Sequence, residues 1–188
     1  MAPSSLLARA ADSVLVIVDI QERLLPTMPP AGREQMLRNV RILAESATRI
    51  GVPILVTEQY PKGLGPTTEP VLEALPPVAP RIDKTCFSCS GSEAFIAALA
   101  ATARSQVVLA GMEGHVCVLQ SALELRAAGR EVWVVEDACC SRNPANLVNA
   151  VHRMRAAGVV VANTESVIFE WLRDARHEQF KAISALLR

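Results

Sequence analysis

The chain has 188 residues, of which 51% are hydrophobic and 20% charged, enough for one domain with a sizeable core. Nineteen basic residues balance nineteen acidic ones without a dense lysine or arginine run, so charge gives no reason to expect nucleic acid or an anionic membrane as a partner. No apolar stretch approaches the roughly 20 residues that span a bilayer. The first dozen residues lack the apolar segment of a secretory signal, although the sequence leaves a weaker targeting role open.

The cysteines indicate a reducing compartment. Their number is five, and their spacing is not that of a disulfide framework, which favours a cytoplasmic location. Cys86 and Cys89 form a single C-x-x-C motif, but a structural zinc site takes four ligands and no second pair follows. We therefore expect two ordinary thiols there, in preference to a zinc site or a redox pair.

Apolar runs and helical patterns alternate along the chain. The near-continuous apolar run "SVLVIVDI" at 13–20 predicts a strand buried on both faces. Apolar residues at helical spacing predict a helix over 33–50, which Gly51 ends. The same reasoning predicts strand 52–58, a Pro- and Gly-rich loop at 59–70, strand 79–84, helix 92–103 capped by Ser92, strand 106–111, helix 116–128, strand 131–137, a helix near 144–157, strand 159–164 and helical segments to the end.

Strands that alternate with helices of this length indicate right-handed crossover units and a parallel sheet with helices on both faces. No internal repeat, low-complexity segment or linker interrupts the pattern. We therefore predict an α/β fold, a Rossmann-like three-layer α/β/α sandwich, with residues 1–188 forming a single domain.

Ligands of an open parallel sheet bind outside the carboxyl ends of its strands. The glycine fingerprints of dinucleotide and nucleoside-triphosphate sites are absent from the sequence, which disfavours a cofactor-binding Rossmann domain. The candidates for chemistry are therefore the polar residues that follow predicted strands: Asp19, Glu58, Gln59, Lys84, the loop "GMEGHVC", Asp137, Ser141 and Arg142.

Three of these residues gain meaning as a group. Taken singly, Asp19 is either a helix cap or a functional carboxylate, and a lone Lys84 is usually a solvated side chain. Cys117 lies near a helix start, where the macrodipole lowers a thiol pKa, but free cysteines are also common core residues. Together they supply a nucleophile, a proton acceptor and a cation.

Four motifs that contain these residues resemble those of the isochorismatase-like cysteine hydrolases, over a range from about Asp12 to Leu172. They are "VIVDIQERL", "DKTCFSCS", "GMEGHVCVLQSALEL" and "EDACCSR", in the family's order. The loop "VTEQYPKGLGPT" resembles in particular the isochorismatase-domain-containing branch. The resemblance implies a six-stranded parallel sheet and a homo-oligomer, a dimer or larger.

The resemblance also implies a catalytic role for each residue of the group. Cys117 is the expected nucleophile, Asp19 the general base, and Lys84 the cation that keeps Asp19 ionised and stabilises developing charge. The Met112–Glu113 peptide bond is expected to be cis, with the backbone N–H groups of Glu113 and Cys117 forming an oxyanion hole. The family's usual threonine is replaced by glycine at position 114, which removes a hydroxyl contact.

Further side chains near these motifs are candidates for substrate binding. His115 is close enough in sequence to Cys117 to suggest a Cys–His pair. Two residues apart at a helix start, however, the two side chains should diverge, which favours a pocket-lining role. The candidate substrate-binding residues are Gln21, Gln59, Tyr60, Phe87 and His115.

The sequence departs from the metal-dependent relatives. Those proteins carry D-x-H and a further histidine after the second strand, where this chain has "TEQYPKGLGPTTEP". The resemblance therefore implies no catalytic metal and no cofactor, and it disfavours nicotinamide as substrate. Because Cys117 is present, we expect a metal-independent cysteine hydrolase, an amidohydrolase that cleaves an amide or ureido C–N bond of a small molecule through a thioester. The alternative is a non-catalytic domain that binds a ligand or a protein partner.

Overall fold

The structure of the protein is a computed structural model that describes residues 7–188. It contains a six-stranded sheet. Residues 1–6, where part of the open targeting question falls, lie outside the described residues. The strands are β1 Ser13–Val18, β2 Ile54–Gln59, β3 Arg81–Lys84, β4 Gln106–Met112, β5 Glu131–Cys140 and β6 Val160–Ala162. The helices are α1 Pro30–Ile50, α2 Pro61–Leu64, α3 Glu69–Leu72, α4 Glu93–Ala101, α5 Leu119–Ala127, α6 Pro144–Ala156, α7 Thr164–Leu172 and α8 Phe180–Leu186, with 3-10 turns at Leu25–Thr27 and Cys89–Gly91 and a π-helical turn at Gly114–Val118.

All neighbouring strands of the sheet are parallel, in the order β3-β2-β1-β4-β5-β6. This order confirms the predicted Rossmann-like parallel sheet. It reverses direction between β1 and β4, and in such sheets the crevice at the reversal is where ligands bind. The carboxyl ends of β1 and β4 therefore mark the expected site.

The two faces of the sheet bury separate hydrophobic clusters, which confirms the three-layer sandwich. On β1, Leu15 and Ile17 pack into one cluster together with α1, α7 and α8. Val14, Val16 and Val18 point the other way, into a cluster with α4, α5 and α6. This alternation explains the continuous apolar run of β1, because a strand covered on both faces needs apolar side chains at every position.

Gly111 allows β1 and β4 to meet at the edge that carries the site. It pairs with Val18 in the β1–β4 register, and its φ of +120° is one that residues with a side chain rarely adopt. A Cβ at position 111 would overlap the carbonyl oxygen of Val18. Glycine at this position therefore sets the distance between the two strands that lead to the site.

Most predicted boundaries differ from the structure by one to three residues, and three differences lie close to the site. The predicted loop at 59–70 contains α2 and the start of α3. The helix predicted from 116 begins two residues earlier, as a π-helical turn. Strand β5 continues to Cys140, because it resumes pairing with β4 after an irregularity in register, and "ACC" offers no apolar alternation to signal this. Within residues 7–188, no helix is long and apolar enough to cross a membrane.

Candidate active site

Asp19, Lys84 and Cys117 meet at the carboxyl edge of the sheet. Asp19 follows β1, Lys84 ends β3, and Cys117 lies in the π-helical turn after β4. All three are buried, with exposed fractions of 0%, 4% and 5%. Lys84 Nζ donates to Asp19 Oδ2 at 2.7 Å. Both charges shift the pKa of Cys117, Asp19 upward and Lys84 downward. The topology therefore assembles the three residues that the sequence selected.

Asp19 is held by hydrogen bonds on both carboxylate oxygens. Thr57 Oγ1 donates to Oδ1 at 2.7 Å, while Lys84 occupies Oδ2. The backbone of Asp19 has a φ of +53°, a left-handed conformation that aspartate tolerates better than most residues, and its N–H donates to Thr57 O at 3.1 Å. Thr57 is a site residue that the sequence analysis missed, and its place near the carboxyl end of β2 was the available signal.

The Lys84 ammonium is surrounded by acceptors. Besides Asp19, its Nζ donates to Gln59 Oε1 at 2.7 Å and to the carbonyls of Cys86 and Phe87 at 3.3 and 3.2 Å. Burial is the largest single influence on the pKa of Lys84 and lowers it, but Asp19, by charge and hydrogen bond, together with Cys117 and Cys89 raises it by more. The net pKa is raised, so the group is charged. An ammonium has three N–H donors, and the four acceptors inside the protein leave none of them for a substrate. We therefore infer that Lys84 acts by its charge and through Asp19.

The pKa of Cys117 is raised, contrary to the expected lowering at a helix start. Burial contributes most because it disfavours the thiolate, and the Asp19 charge adds to it, while Lys84 offsets only part of the shift. The raised pKa contradicts the lowering expected from the helix dipole, because burial outweighs the dipole. It agrees with the alternative in which Asp19 opposes the dipole and the resting group is a thiol. Burial and the neighbouring Asp19 therefore both favour the protonated thiol of Cys117 at neutral pH.

The segment before Cys117 has the backbone arrangement that the resemblance implies. The Met112–Glu113 peptide bond is cis. The carbonyl of Glu113 accepts hydrogen bonds from the N–H groups of Val116 and Val118, at 3.0 and 3.2 Å, so the π-helical turn folds directly onto this residue. The oxyanion hole formed by Glu113 and Cys117 stays a prediction.

His115 lies beside Glu113. Its Nδ1 is 3.7 Å from Glu113 Oε2, and its side chain is 21% exposed. The backbone N–H of His115 donates to Ser141 Oγ at 3.3 Å, which joins this turn to the end of β5. These contacts tie His115 to Glu113 and Ser141, and its expected pocket-lining role stays a prediction.

Gln21 and Gln59 serve the architecture of the site. Both are buried, and the side chain of Gln21 bonds to the backbone of Gln59 and Gly65. Gln59 Nε2 donates to Thr85 O at 2.7 Å, which turns Oε1 toward Lys84. The polar atoms of both amides already have partners inside the protein. We therefore expect them to support the site and not, as the sequence predicts, to bind the substrate directly.

Tyr60 and Phe87 are half-exposed beside Lys84, each with an exposed fraction of 54%. Tyr60 comes directly after β2, and its backbone N–H donates to Lys84 O at 2.8 Å. This bond holds Tyr60 next to the end of β3. A cavity of about 410 Å³ lies here, lined by Tyr60, Lys84 and Cys86 among others. Neither Asp19 nor Cys117 lines it, and the Lys84 side chain is fully buried, so the cavity adjoins the site without opening onto the thiol or the ion pair.

The remaining thiols do not form a metal site. All five cysteines are free, and no group of three or more His, Cys, Asp or Glu side chains among the described residues could hold a metal ion. Cys89 is the buried neighbour of the site: its N–H donates to Ser121 Oγ at 2.8 Å, and Ser121 Oγ donates to Cys117 O at 2.6 Å. The C-x-x-C motif thus contains one buried thiol and, in Cys86, one half-buried thiol.

Comparison with known proteins places this geometry in a family. The isochorismatase domain model matches residues 13–166. Isochorismatase domain-containing protein 2A of Mus musculus is 38% identical over 182 residues, covering 94% of this chain and 82% of its own. The MAR1 ribonuclease of Caenorhabditis elegans superposes with a TM-score of 0.89 at 32% identity, covering 96% and 92% of the two chains. The YcaC gene product of Escherichia coli, an octameric hydrolase of unknown specificity, gives 0.90 at 27% identity, covering 99% and 91%. With its fold, its motifs and these relatives in agreement, the chain belongs to the isochorismatase family, whose fold supports a hydrolase-type function.

Proposed function

We propose that this protein is a metal-independent cysteine hydrolase that cleaves an amide or ureido C–N bond of a small molecule through a thioester on Cys117. The observation that carries the proposal is the fully buried Asp19 carboxylate, bonded to Lys84 beside a neutral Cys117 thiol. A buried ion pair is seldom a net gain in stability, since desolvation costs several kcal/mol per ion. Its position next to a thiol at the strand-order reversal therefore favours a catalytic explanation.

Bond formation begins with the thiol. As Sγ of Cys117 attacks the substrate carbonyl carbon, its proton passes to Asp19, and the resulting oxyanion is bound by the N–H groups of Glu113 and Cys117. The C–N bond then breaks, and Asp19 returns the proton to the leaving nitrogen. Water attacks the thioester with Asp19 as base, which releases the acid and restores the thiol. Lys84 keeps Asp19 ionised between these steps.

A small substrate fits the surroundings of the site. The cavity of about 410 Å³ beside Tyr60 and Lys84 is within the range of small-molecule sites, roughly 300–1,000 Å³. One structural relative is named a ribonuclease, but this chain has a formal net charge of zero and no dense lysine or arginine run, so its composition gives no support for binding a phosphate backbone. We therefore propose a small molecule that meets Tyr60 and Phe87 on entry. The role of His115 in lining the site stays a prediction, because His115 does not border this cavity.

We also propose that the chain forms a homo-oligomer, since the Escherichia coli relative is described as octameric. Five free cysteines without the spacing of a disulfide framework support a cytoplasmic location.

A screen for ammonia release tests the proposed reaction. Wild-type protein, the Cys117→Ala variant and a Cys89→Ala control would be assayed on a panel of small amides and ureides. We expect turnover of at least one compound by wild type and Cys89→Ala, and none by Cys117→Ala. Full turnover by Cys117→Ala would exclude the thioester route. Specific binding of a compound with no turnover by any form would favour the non-catalytic alternative.

A further inference from the structure

An almost buried carboxylate lies beside the proposed oxyanion hole and is held by one arginine. The side chain of Glu113 is 4% exposed, whereas that of Arg142 is 63% exposed. Arg142 Nε donates to Glu113 Oε1 at 2.9 Å and to Oε2 at 3.1 Å, and the backbone N–H of Arg142 donates to Oε2 at 3.1 Å. Its Nη2 lies 2.6 Å from Oε1 as an ion pair. A guanidinium that contacts both oxygens, together with the backbone N–H, fixes the orientation of the carboxylate as well as its position.

The two residues after Glu113 contact the same part of the chain. A Cβ at Gly114 would overlap the side chain of Leu147 and lie 3.3 Å from Ser141 Oγ. The N–H of His115 donates to Ser141 Oγ at 3.3 Å. The end of β5 and the start of α6 thus surround three consecutive residues, and Arg142 provides the charged part of this contact.

We propose that Arg142 is a positioning residue for the acylation step, which it serves by clamping the Glu113 side chain and so fixing the direction of the Glu113 backbone N–H. The inference rests on the proposed function, because it assumes that this N–H binds the oxyanion. Arg142 itself touches no reacting atom. Its role is indirect, and it gives a physical reason for the serine and arginine of the sequence motif "EDACCSR".

Geometry makes such a clamp effective. An oxyanion-hole donor works when it lies about 2.7–3.1 Å from the developing charge, so a small tilt of the 113 peptide weakens it. Without Arg142, the buried Glu113 carboxylate would keep only His115 Nδ1, which lies 3.7 Å away and is a counter-charge only when protonated. Such a state costs enough for the segment to move toward water. The loss would fall on the step in which an oxyanion develops.

Two reactions of the same thiol separate positioning from general integrity. With p-nitrophenyl acetate, an S–C bond to the acyl carbon forms and the C–O bond to the aryl group breaks through an oxyanion. The thiol proton passes by way of Asp19 to the departing p-nitrophenolate or to solvent. With iodoacetamide, an S–C bond forms and the C–I bond breaks, iodide leaves, the proton goes to solvent, and no oxyanion develops. Both rates would be measured at Cys117 by peptide mapping at one pH.

We expect Arg142→Met to slow acylation by about 10- to 100-fold, in line with the loss of much of one oxyanion-hole donor, and to leave alkylation within about twofold of wild type. Millimolar guanidinium should restore acylation in Arg142→Ala, because the site of the arginine is open to solvent. The matched control is Arg155→Met, which breaks the exposed pair with Glu136 and should change neither rate. Glu113→Gln, which keeps an acceptor for Arg142 but loses the charge, should slow acylation less than Arg142→Met.

Several results would overturn the inference. Equal slowing of both reactions in Arg142→Met, or no effect on either, would show a general structural role or none. Faster acylation in Glu113→Gln would show that Arg142 acts by its charge, which Glu113 normally neutralises. If Arg142→Met does not fold, the ratio of acylation to alkylation in Arg142→Lys decides, because lysine keeps the charge but not the planar fork. A ratio equal to that of wild type counts against the clamp. If wild-type Cys117 is alkylated but never acylated, the proposed function itself fails and the inference fails with it.

Discussion

At the scale of single residues, the proposed chemistry depends most on the buried Asp19–Lys84 ion pair. Asp19 is 0% exposed and Lys84 4% exposed, and each provides the counter-charge of the other. Thr57 fixes the orientation of the Asp19 carboxylate, and Gln59 fixes that of the Lys84 ammonium. Removal of one partner leaves an uncompensated charge inside the protein, which is costlier than removal of both. The pair must therefore be studied by paired substitutions.

The Asp19→Asn substitution should lower the free energy of unfolding by about 3 kcal/mol, because it leaves the Lys84 ammonium without a counter-charge. The double variant Asp19→Asn/Lys84→Met should regain most of this loss, since methionine keeps the apolar stem. Neither variant should hydrolyse substrate. Urea unfolding at pH 7 measures the two differences, and equal stability of wild type and Asp19→Asn would show that Lys84 does not need this partner.

The raised pKa of Cys117 predicts a steep pH dependence of its alkylation. The thiol is protonated at neutral pH, so the thiolate fraction and the labelling rate should rise about tenfold per pH unit from pH 7 to pH 9. Half-buried Cys86 should label first at pH 7, because the iodoacetamide reaches it more easily.

Two variants test the cause of that shift. Asp19→Asn should label faster than wild type at Cys117, because the negative charge that raises the pKa is gone, and Lys84→Met should label more slowly. Peptide mapping after limited exposure to iodoacetamide gives each rate. A rate at Cys117 that is flat between pH 7 and pH 9 would indicate a thiolate at rest and would refute the raised pKa.

At the level of strands and helices, the site depends on how closely β1 and β4 meet at their carboxyl ends. Gly111 lies against the backbone of Val18, and β4 then leads directly into the π-helical turn that holds Cys117. A change in the distance between these strands would move the thiol relative to Asp19.

Gly111→Ala should therefore lower the free energy of unfolding by about 3 kcal/mol, through backbone strain together with overlap on β1. Gly129→Ala is the matched control, since Gly129 also has a positive φ, of +82°, but no atom within 4 Å of the added Cβ. It should cost about 1 kcal/mol. Equal losses in the two variants, measured by urea unfolding, would mean that the close approach of β1 and β4 is unimportant.

The elements also show what the sequence could and could not predict. The buried strands and long helices were predictable because their periodicity is strong, and the meeting of Asp19, Lys84 and Cys117 followed from the rule for strand ends. The raised pKa of Cys117 was not predictable, because depth of burial is a tertiary property. The contact of Glu113 with Arg142 joins residues 29 positions apart, and no local pattern announces such a pairing.

For the molecule as a whole, the order of the strands explains why one edge holds all of the candidate chemistry. The proposed catalytic residues lie at or just after the carboxyl ends of β1, β3 and β4, and residues from β2 and the end of β5 support them. The amino ends of the strands supply none of the proposed catalytic residues. The rings of Tyr60 and Phe87 remain half-exposed at this edge. Apolar groups left exposed near a site are available for a ligand or for a neighbouring subunit.

We predict that the protein is a homo-oligomer, a dimer or larger, at micromolar concentration, as the octameric relative suggests. Static light scattering coupled to size-exclusion chromatography measures the mass. A value of at least twice the chain mass of 20.2 kDa is expected. A mass that stays near 20.2 kDa up to the highest soluble concentration would contradict the prediction.

The central claim is that Cys117 forms a thioester, and mass spectrometry of the acylated enzyme tests it most directly. Wild-type protein would be mixed with p-nitrophenyl acetate, quenched in acid within seconds and digested for peptide mapping. We predict a single acetyl group on the peptide that contains Cys117, labile to hydroxylamine, much reduced in Asp19→Asn and absent in Cys117→Ala. Acetylation of another cysteine in preference to Cys117, or an adduct on Cys117 that forms equally fast in Asp19→Asn, would contradict the account.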